Sequence, residues 1–290
     1  MATPERPLKL GEHYLDIGQP ARALEIMRQM AGAELENPRY WYLRGRALYA
    51  LDRHAEAAQA LRVGLKRAPW DVQLLHLLSC AEQQQGNLAA AERAVLAALQ
   101  LAPENPALLS QYGLLVAQGG QLAKAQRLVE MAARLDPENV YVGRARTAVA
   151  YLQGDDRAAN RHGREILTQA PEDDVAHYMV GAALSEQGEV SGAKKHFTTA
   201  ASLNPEQQAF REAVLQSRYY THWLLWPLRP FNRWGTVRVW MGAMAILLTL
   251  EALGQSRAAF IFAIAYIALC VYSWVVPPLL RWWMWRGRRS

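Results

Sequence analysis

Cysteine is scarce in this chain, with only Cys80 and Cys270 among 290 residues. One stands in the long first part and the other inside an apolar run, which points away from a disulfide framework and suits a reducing compartment. Lysine is scarcer than its charge class suggests, 5 against 27 arginines, and with the many Ala and Leu this composition fits a GC-rich bacterial source. Acid is almost missing from one end. Residues 218–290 hold nine Arg and a single acid, Glu251, whereas residues 1–217 hold 23 cations and 25 acids, so the net charge of +6 belongs to the tail. A nucleic-acid-binding domain would carry its cations on the folded body. Here the body is near neutral, so a membrane is the expected counter-surface and no nucleic-acid partner is expected. Residues 1–9 have no apolar core of a secretory signal, and the body is expected to stay on the side where it is made.

Chemistry-bearing patterns are also missing. The seven histidines, His13, His54, His76, His162, His177, His196 and His222, show no pair at the spacing that holds zinc on a helix. There is no phosphate-cradling glycine loop, nucleophile elbow or twin-cysteine pair. Asp155 with Asp156, and the acids at 172–174, lie beside turns and helix starts, where carboxylates ordinarily cap helices. No catalytic, metal or cofactor site is expected, and the chain is not expected to be an enzyme.

What the chain does have is a period of 34 residues. Gly11, Gly45, Ser79, Gly113, Thr147 and Gly181 form one column of small residues, and Ala23, Ala57, Ala91, Ala125, Ala159 and Ala193 form another. Pro69, Pro103, Pro137, Pro171 and Pro205 close successive units, and Gly18, Gly86, Gly120, Gly154 and Gly188 share the turn between two helical patterns. Small residues at Gly45 and Ala57 let antiparallel helices approach closely while Leu48 and Leu61 fill the space beside them. The turn glycines suit the positive φ of a helix end. Proline stops one helix and fits the start of the next.

These columns resemble the tetratricopeptide repeat (TPR) family over residues 4–207, in six units: 4–37, 38–71, 72–105, 106–139, 140–173 and 174–207. The resemblance implies an all-α fold, a TPR superhelix (α-solenoid) of about six helix pairs. Two units depart from the pattern. The first has Leu35 in place of proline, and the fifth has Gly143, Arg146, Thr147 and Gly163 where larger or apolar residues are usual, which predicts a loose or bent fifth pair.

In this family the first helix of each pair lines a concave groove where partners dock. Its inner positions are Arg39, Tyr42 and Arg46, then Gln73, His76 and Cys80, then Ala107, Ser110 and Leu114, then Tyr141, Arg144 and Ala148, then Val175, Tyr178 and Ala182. Of these, Arg39, Tyr42, Arg46, Gln73, His76, Ser110, Tyr141, Arg144 and Tyr178 are the candidate binding residues. Tyrosines offer area and a hydroxyl, and arginines can fork onto carboxylates, so a peptide with acidic and apolar residues is the expected guest. Aromatic residues at this spacing also commonly serve packing alone. The Lys and Asn clamp by which some relatives hold a chaperone's terminal carboxylate is replaced here by Tyr42 and Arg46, then His76 and Cys80.

Residues 208–218 read as a capping helix over the open end of the stack. Residues 219–237 are aromatic, cationic and interrupted by Pro227 and Pro230, as an interfacial elbow would be. Two hydrophobic helices are expected next. Residues 258–280 are 23 without a charge, enough at about 1.5 Å each to cross a core of about 30 Å. Residues 239–253 are shorter, and either cross as the first arm of a hairpin or lie on the surface.

Eight of the ten tryptophans lie in this end of the chain. Trp223, Trp226, Trp234, Trp282, Trp283 and Trp285, with Arg229, Arg233, Arg238 and Arg281, are the expected interface residues. Arginines flank both runs on the outside, including the basic tail 281–290, whereas the turn between the runs has only Arg257. Cation counting then keeps both flanks and the repeats cytoplasmic, at a bacterial inner membrane. Gly242, Ala243 and Ala245, with Ala263, Ala265 and Ala268, suit helix contact within the hairpin or with another membrane protein or copy. The function expected is a membrane-anchored scaffold that binds a protein or peptide in its groove. The alternative is an integral subunit or assembly factor of an envelope, secretion or transport complex, with the hairpin as its working interface.

Overall fold

The computed structural model describes residues 5–228 and 235–286, and among them there is no strand. The chain forms two compact units, residues 1–179 and 180–290.

The first unit contains α1 (Glu5–Asp16), α2 (Pro20–Arg28), α3 (Pro38–Ala50), α4 (His54–Arg67), α5 (Val72–Gln84), α6 (Leu88–Leu101), α7 (Pro106–Gln118), α8 (Leu122–Leu135), α9 (Val140–Leu152), α10 (Asp156–Gln169) and the start of α11 (Asp174–Glu186). Consecutive helices from α1 to α10 pack on one another as hairpins. The odd-numbered helices α1 to α9 also touch in sequence and form a continuous layer. The alanine column explains the close approach, since Ala23, Ala57, Ala91, Ala125 and Ala159 are all fully buried. Each is a side chain that fills space without adding rotamer entropy to be lost.

Helix starts are set by a second 34-residue column. The side chains of Asn37, Asp71, Asn105 and Asn139 accept hydrogen bonds at 2.9–3.3 Å from backbone N–H groups two or three residues on, capping α3, α5, α7 and α9. Asp173 does the same for Ala176 N at 2.7 Å. Such caps typically contribute about 1 kcal/mol each. Asp155 caps α10 through Ala158 N at 2.9 Å, so this acid serves the helix start.

The fifth pair is packed rather than loose. Thr147 is fully buried and its hydroxyl donates to Gly143 O at 2.9 Å. Gly143 lies so close to Ile166 that an added Cβ would stand 2.9 Å from its Cγ1. Arg146 donates through Nε to Glu130 at 3.2 Å and lies 3.8 Å from Glu165, which brings a polar position of α9 to both neighbouring helices.

The second unit contains the rest of α11, α12 (Val190–Leu203), α13 (Gln208–Thr221), a 3₁₀ turn (Trp223–Leu228), α14 (Thr236–Ala252) and α15 (Ser256–Arg286). Phe210, Val214 and Ser217 are the buried residues of α13, which packs on α12 and continues three residues past the limit expected from sequence. Helices α14 and α15 form an antiparallel hairpin joined at Gly254, whose φ of 73° closes the turn. With 17 residues, α14 reaches about 25 Å at 1.5 Å per residue, short of a hydrocarbon core of about 30 Å. Among the described residues one helix, α15, is long and apolar enough to cross a membrane, over Ser256–Trp283. The two membrane helices expected from sequence are thus reduced to one by length.

The 3₁₀ turn lies beside α15. Its Leu225 and Leu228 are buried with Leu280, against Leu269, Tyr272 and Val276. Tyr272 donates its hydroxyl to Leu224 O at 2.6 Å, and Tyr219 of α13 donates to Pro277 O at 3.4 Å. One face of the later part of α15, at Leu269, Tyr272, Val276 and Leu280, is therefore covered by this turn, with Tyr219 of α13 beside it.

Candidate functional site

The layer of odd-numbered helices brings several of the candidate residues together. On α3, Arg39 forms an ion pair with Glu12 at 2.6 Å and Arg46 with Asp16 at 2.9 Å. Tyr42 packs partly buried against the core of the first pairs. Gln73 of α5 is exposed. The two arginine pairs lie at the surface, where such pairs typically contribute about 0–1 kcal/mol, so each guanidinium can exchange its acid for an incoming carboxylate at little cost.

Deeper in the layer lies a polar seam across α5, α7 and α9. Tyr141 donates its hydroxyl to Gln111 Oε1 at 2.7 Å, and Gln111 Nε2 donates to Ser79 Oγ at 3.2 Å and to Gln83 Oε1 at 2.9 Å. The ring of His76 meets that of Tyr141 edge-on, with centroids 6.0 Å apart. Gln111 is 1% exposed, so its hydrogen bonds within the protein replace water that cannot reach it. His76 Nε2 and Ser110 Oγ are buried without a hydrogen-bond partner.

The electrostatics follow from burial. Desolvation pushes the Cys80 thiol up to about 12, with a hydrogen bond to Tyr141 as a smaller opposing influence. Burial likewise raises Tyr141 well above the ordinary phenol value and raises Tyr49, and it holds His76 below the ordinary imidazole value. Each shift favours the neutral form. A thiol so protonated is a poor nucleophile near neutral pH.

Two candidate residues are placed differently from the expectation. Ser110 has 0% exposure and lies beneath the surface of the layer. Arg144 donates to Asp173 Oδ2 at 3.1 and 2.7 Å through Nε and Nη2, and Asp173 is the buried cap of α11, so this arginine is held by an internal acid. Tyr178 is partly buried on α11. In the second unit Trp223 and Trp226 are 74% and 67% exposed, and Trp282 and Trp283 are exposed as well. Arg238 is exposed, and Arg281 lies over the ring of Tyr219, 5.9 Å from its centroid. Arg229, Arg233 and Trp234, and the side chain of Trp285, lie outside the described residues.

Gln111, Ser79 and Gln83 were not singled out from sequence. The signal existed for Gln111: after Lys9 of the first unit its column otherwise holds Leu43, Leu77, Ala145 and Met179, and a polar group among these apolar residues requires a partner. Among the described residues no group of three His, Cys, Asp or Glu side chains is placed to hold a metal.

Residues 8–71 and 76–140 match the model of the tetratricopeptide repeat family. No curated protein matches the chain. Several solved structures share its fold at low identity. A chain of the APC/C hetero-tetramer Cut9–Hcn1 superposes with a TM-score of 0.64 at 14% identity, over 76% of this chain and 43% of that one. This chain therefore spans under half the length of that relative. The TPR protein TTC0263 of Thermus thermophilus gives 0.57 at 18% identity, covering 62% and 98% of the two chains. PilW, a type IV pilus biogenesis factor, gives 0.57 at 13% identity, covering 74% and 99%. With its 34-residue columns, capped helix pairs and this likeness, the repeat region has the all-α solenoid fold of tetratricopeptide-repeat proteins.

Proposed function

We propose that the chain is a membrane-anchored scaffold whose repeats hold a protein or peptide while α15 fixes them to the bilayer. The observation that carries the reading is the junction in one chain of a TPR solenoid with an apolar helix of spanning length that is almost wholly unburied. An apolar surface of that length facing water would be an aggregation hazard, whereas in lipid it is at home. If α14 enters the bilayer beside α15, the arginines outside the two helices keep both flanks, and with them the repeats, on the cytoplasmic side, at a bacterial inner membrane. Confinement to two dimensions raises the effective concentration of the bound partner for other membrane components, so a groove of modest affinity suffices.

The binding face we assign is on α3 and α5, through Arg39, Tyr42, Arg46, Gln73 and His76, with Tyr141 further along the layer and Tyr178 on α11. Arg144 and Ser110 belong to the framework beneath. An acidic, partly apolar peptide suits this face, displacing Glu12 and Asp16 from the two exchangeable arginines.

Carbonate extraction followed by vesicle flotation tests the anchor. The full chain is expected to float, and recovery as a soluble globule overturns the reading. A second reading makes the hairpin the working interface of an envelope assembly; it is favoured by the exposed apolar faces of both α14 and α15, and PilW shows that this fold occurs in a biogenesis factor. Removing residues 218–290, with helical content checked by circular dichroism, separates the two: a partner still captured by the repeats supports the groove, and a partner lost with the hairpin supports the second reading.

A further inference from the structure

The second unit contains a groove of about 1110 Å³ between the end of α13, the 3₁₀ turn, the start of α14 and the middle of α15. Its walls are mostly apolar and include Leu225, Trp240, Val271 and Trp274. Two of its polar side chains are already used: Tyr219 donates its hydroxyl to Pro277 O, and Ser273 donates to Cys270 O at 2.7 Å. Its bed therefore suits hydrocarbon. The rim has the opposite character. The guanidinium of Arg281 is held over Tyr219, a wall residue, 5.9 Å from its ring centroid, and the exposed Arg218 and Arg238 are chain neighbours of the wall residues Tyr219 and Val237. Glu251, the one acid in residues 218–290, is near the other end of α14.

The groove exists because α14 is short. Helix α15 is 31 residues long, and α14 with its 17 covers only part of it. The 3₁₀ turn covers the later part, clamped there by Tyr272 to Leu224 O, and the gap between these two coverings is the groove. An apolar bed with a cationic rim, open beside a helix of spanning length, is complementary to an amphiphile with a negative head.

We infer that this groove seats one anionic phospholipid, its acyl chains on the apolar bed between α14 and the 3₁₀ turn and its phosphate at Arg281. The inference rests on the anchoring reading. The lipid would complete the shorter arm of the hairpin and fill a space that would otherwise weaken packing. Arg281 gives the site its preference for negative headgroups, since a surface cation near an anionic lipid contributes appreciably to binding.

Native mass spectrometry of the full chain in detergent, titrated separately with phosphatidylglycerol and phosphatidylcholine, tests this. One phosphatidylglycerol is expected to be retained in preference to phosphatidylcholine. Arg281→Gln should weaken phosphatidylglycerol about fivefold and leave phosphatidylcholine unchanged. Cys270→Phe, which places a ring in the groove, should abolish retention of both. Equal retention of the two lipids, retention indifferent to Cys270→Phe, or a lipid-free dimer overturns the proposal, the last by assigning the groove to a second copy. Arg281→Gln keeps the test decisive if the bulkier variant does not fold. Flotation of the same wild-type preparation distinguishes the two levels: a protein that floats yet shows no lipid preference loses only the groove, whereas one that does not float loses the anchor and the groove together.

Discussion

The Cβ that Gly45 lacks would stand 2.6 Å from Cδ2 of Leu61, sixteen residues further along on the facing helix. The same spacing recurs. Gly11 faces Met27, Gly113 faces Val129 and Gly181 faces Phe197, with an added Cβ at 3.1, 2.7 and 2.8 Å from the nearest side-chain atom. In the fifth pair the sizes are exchanged: Thr147 takes the small position and Gly163 the large one, both buried. What looks from sequence like a defective repeat is a reversal of which helix supplies the bulk.

Gly45→Ala and Gly113→Ala should each lower stability by about 1–3 kcal/mol through overpacking. Urea denaturation measures this, and unchanged midpoints would show that Leu61 and Val129 can move aside. Thr147→Gly alone should destabilise by leaving a void, and Thr147→Gly with Gly163→Val should recover much of the loss. A double variant no better than the single one would count against the exchange.

Asp52 has φ of 56° and is the one non-glycine with positive φ among the described residues, at the column position where Gly86, Gly120, Gly154 and Gly188 have φ between 74° and 80°. L-residues meet a steric penalty there that glycine avoids. Asp52→Gly should raise stability by about 0.5–1 kcal/mol despite the greater freedom it gives the unfolded chain. The thermal midpoint reads the effect, and a fall would mean that the contact of Asp52 with His54 at 3.6 Å outweighs the strain.

Glu82 is 2% exposed and meets Arg62, while Asn87 Nδ2 donates to its other oxygen at 3.0 Å. Arg62→Ala should cost about 2–4 kcal/mol, because a buried carboxylate would be left with a neutral partner alone. Adding Glu82→Gln to that variant should restore part of the stability. Chemical denaturation of the two variants checks both statements.

Stability should fall at both ends of the pH range for separate reasons. His76 is held below its ordinary pKa of 6.5 by burial, so the unfolded chain binds its proton first and stability declines as pH drops below about 6.5. Cys80, at about 12 against an ordinary 9.0, stays neutral in the folded protein, so its contribution is full below pH 9 and declines as pH rises from 9 towards 12. Relative to wild type, His76→Phe should flatten the thermal midpoint between pH 7 and 5. Alkylation of Cys80 at pH 8 should be slow until denaturant is added, and rapid labelling of the native protein would place the thiol at the surface.

The solenoid was legible because its constraints repeat. Gly45, Ala57 and Gly86 each have counterparts 34 residues away, and a steric requirement stated several times stands out from composition. The polar seam was harder to read, since Gln111 becomes informative only when compared with Leu77 and Ala145 and its partners Ser79 and Tyr141 lie 32 and 30 residues away. Arg144 reads from sequence as a ligand for carboxylates, and within the fold it holds Asp173, at the start of the next helix pair. The covering of α15 was hidden for a related reason. Trp223, Trp226 and Pro227 mark the segment as interfacial, and nothing local reveals that Leu225 and Leu228 pack against Leu280 more than fifty residues later.

The seam also bears on how the array assembles. Pairs built on the same columns present nearly interchangeable faces, a condition that invites mispairing in tandem-repeat proteins. Gln111, with its ties to Ser79, Gln83 and Tyr141, works as a key: shifted by one pair, its amide would meet Gly45 and Tyr49 in place of Ser79 and Gln83, and one of its two hydrogens would be stranded. The third, fourth and fifth pairs consequently have one order in which every hydrogen of that buried amide is answered, and that uniqueness is supplied by one glutamine whose column holds leucine in the neighbouring third pair.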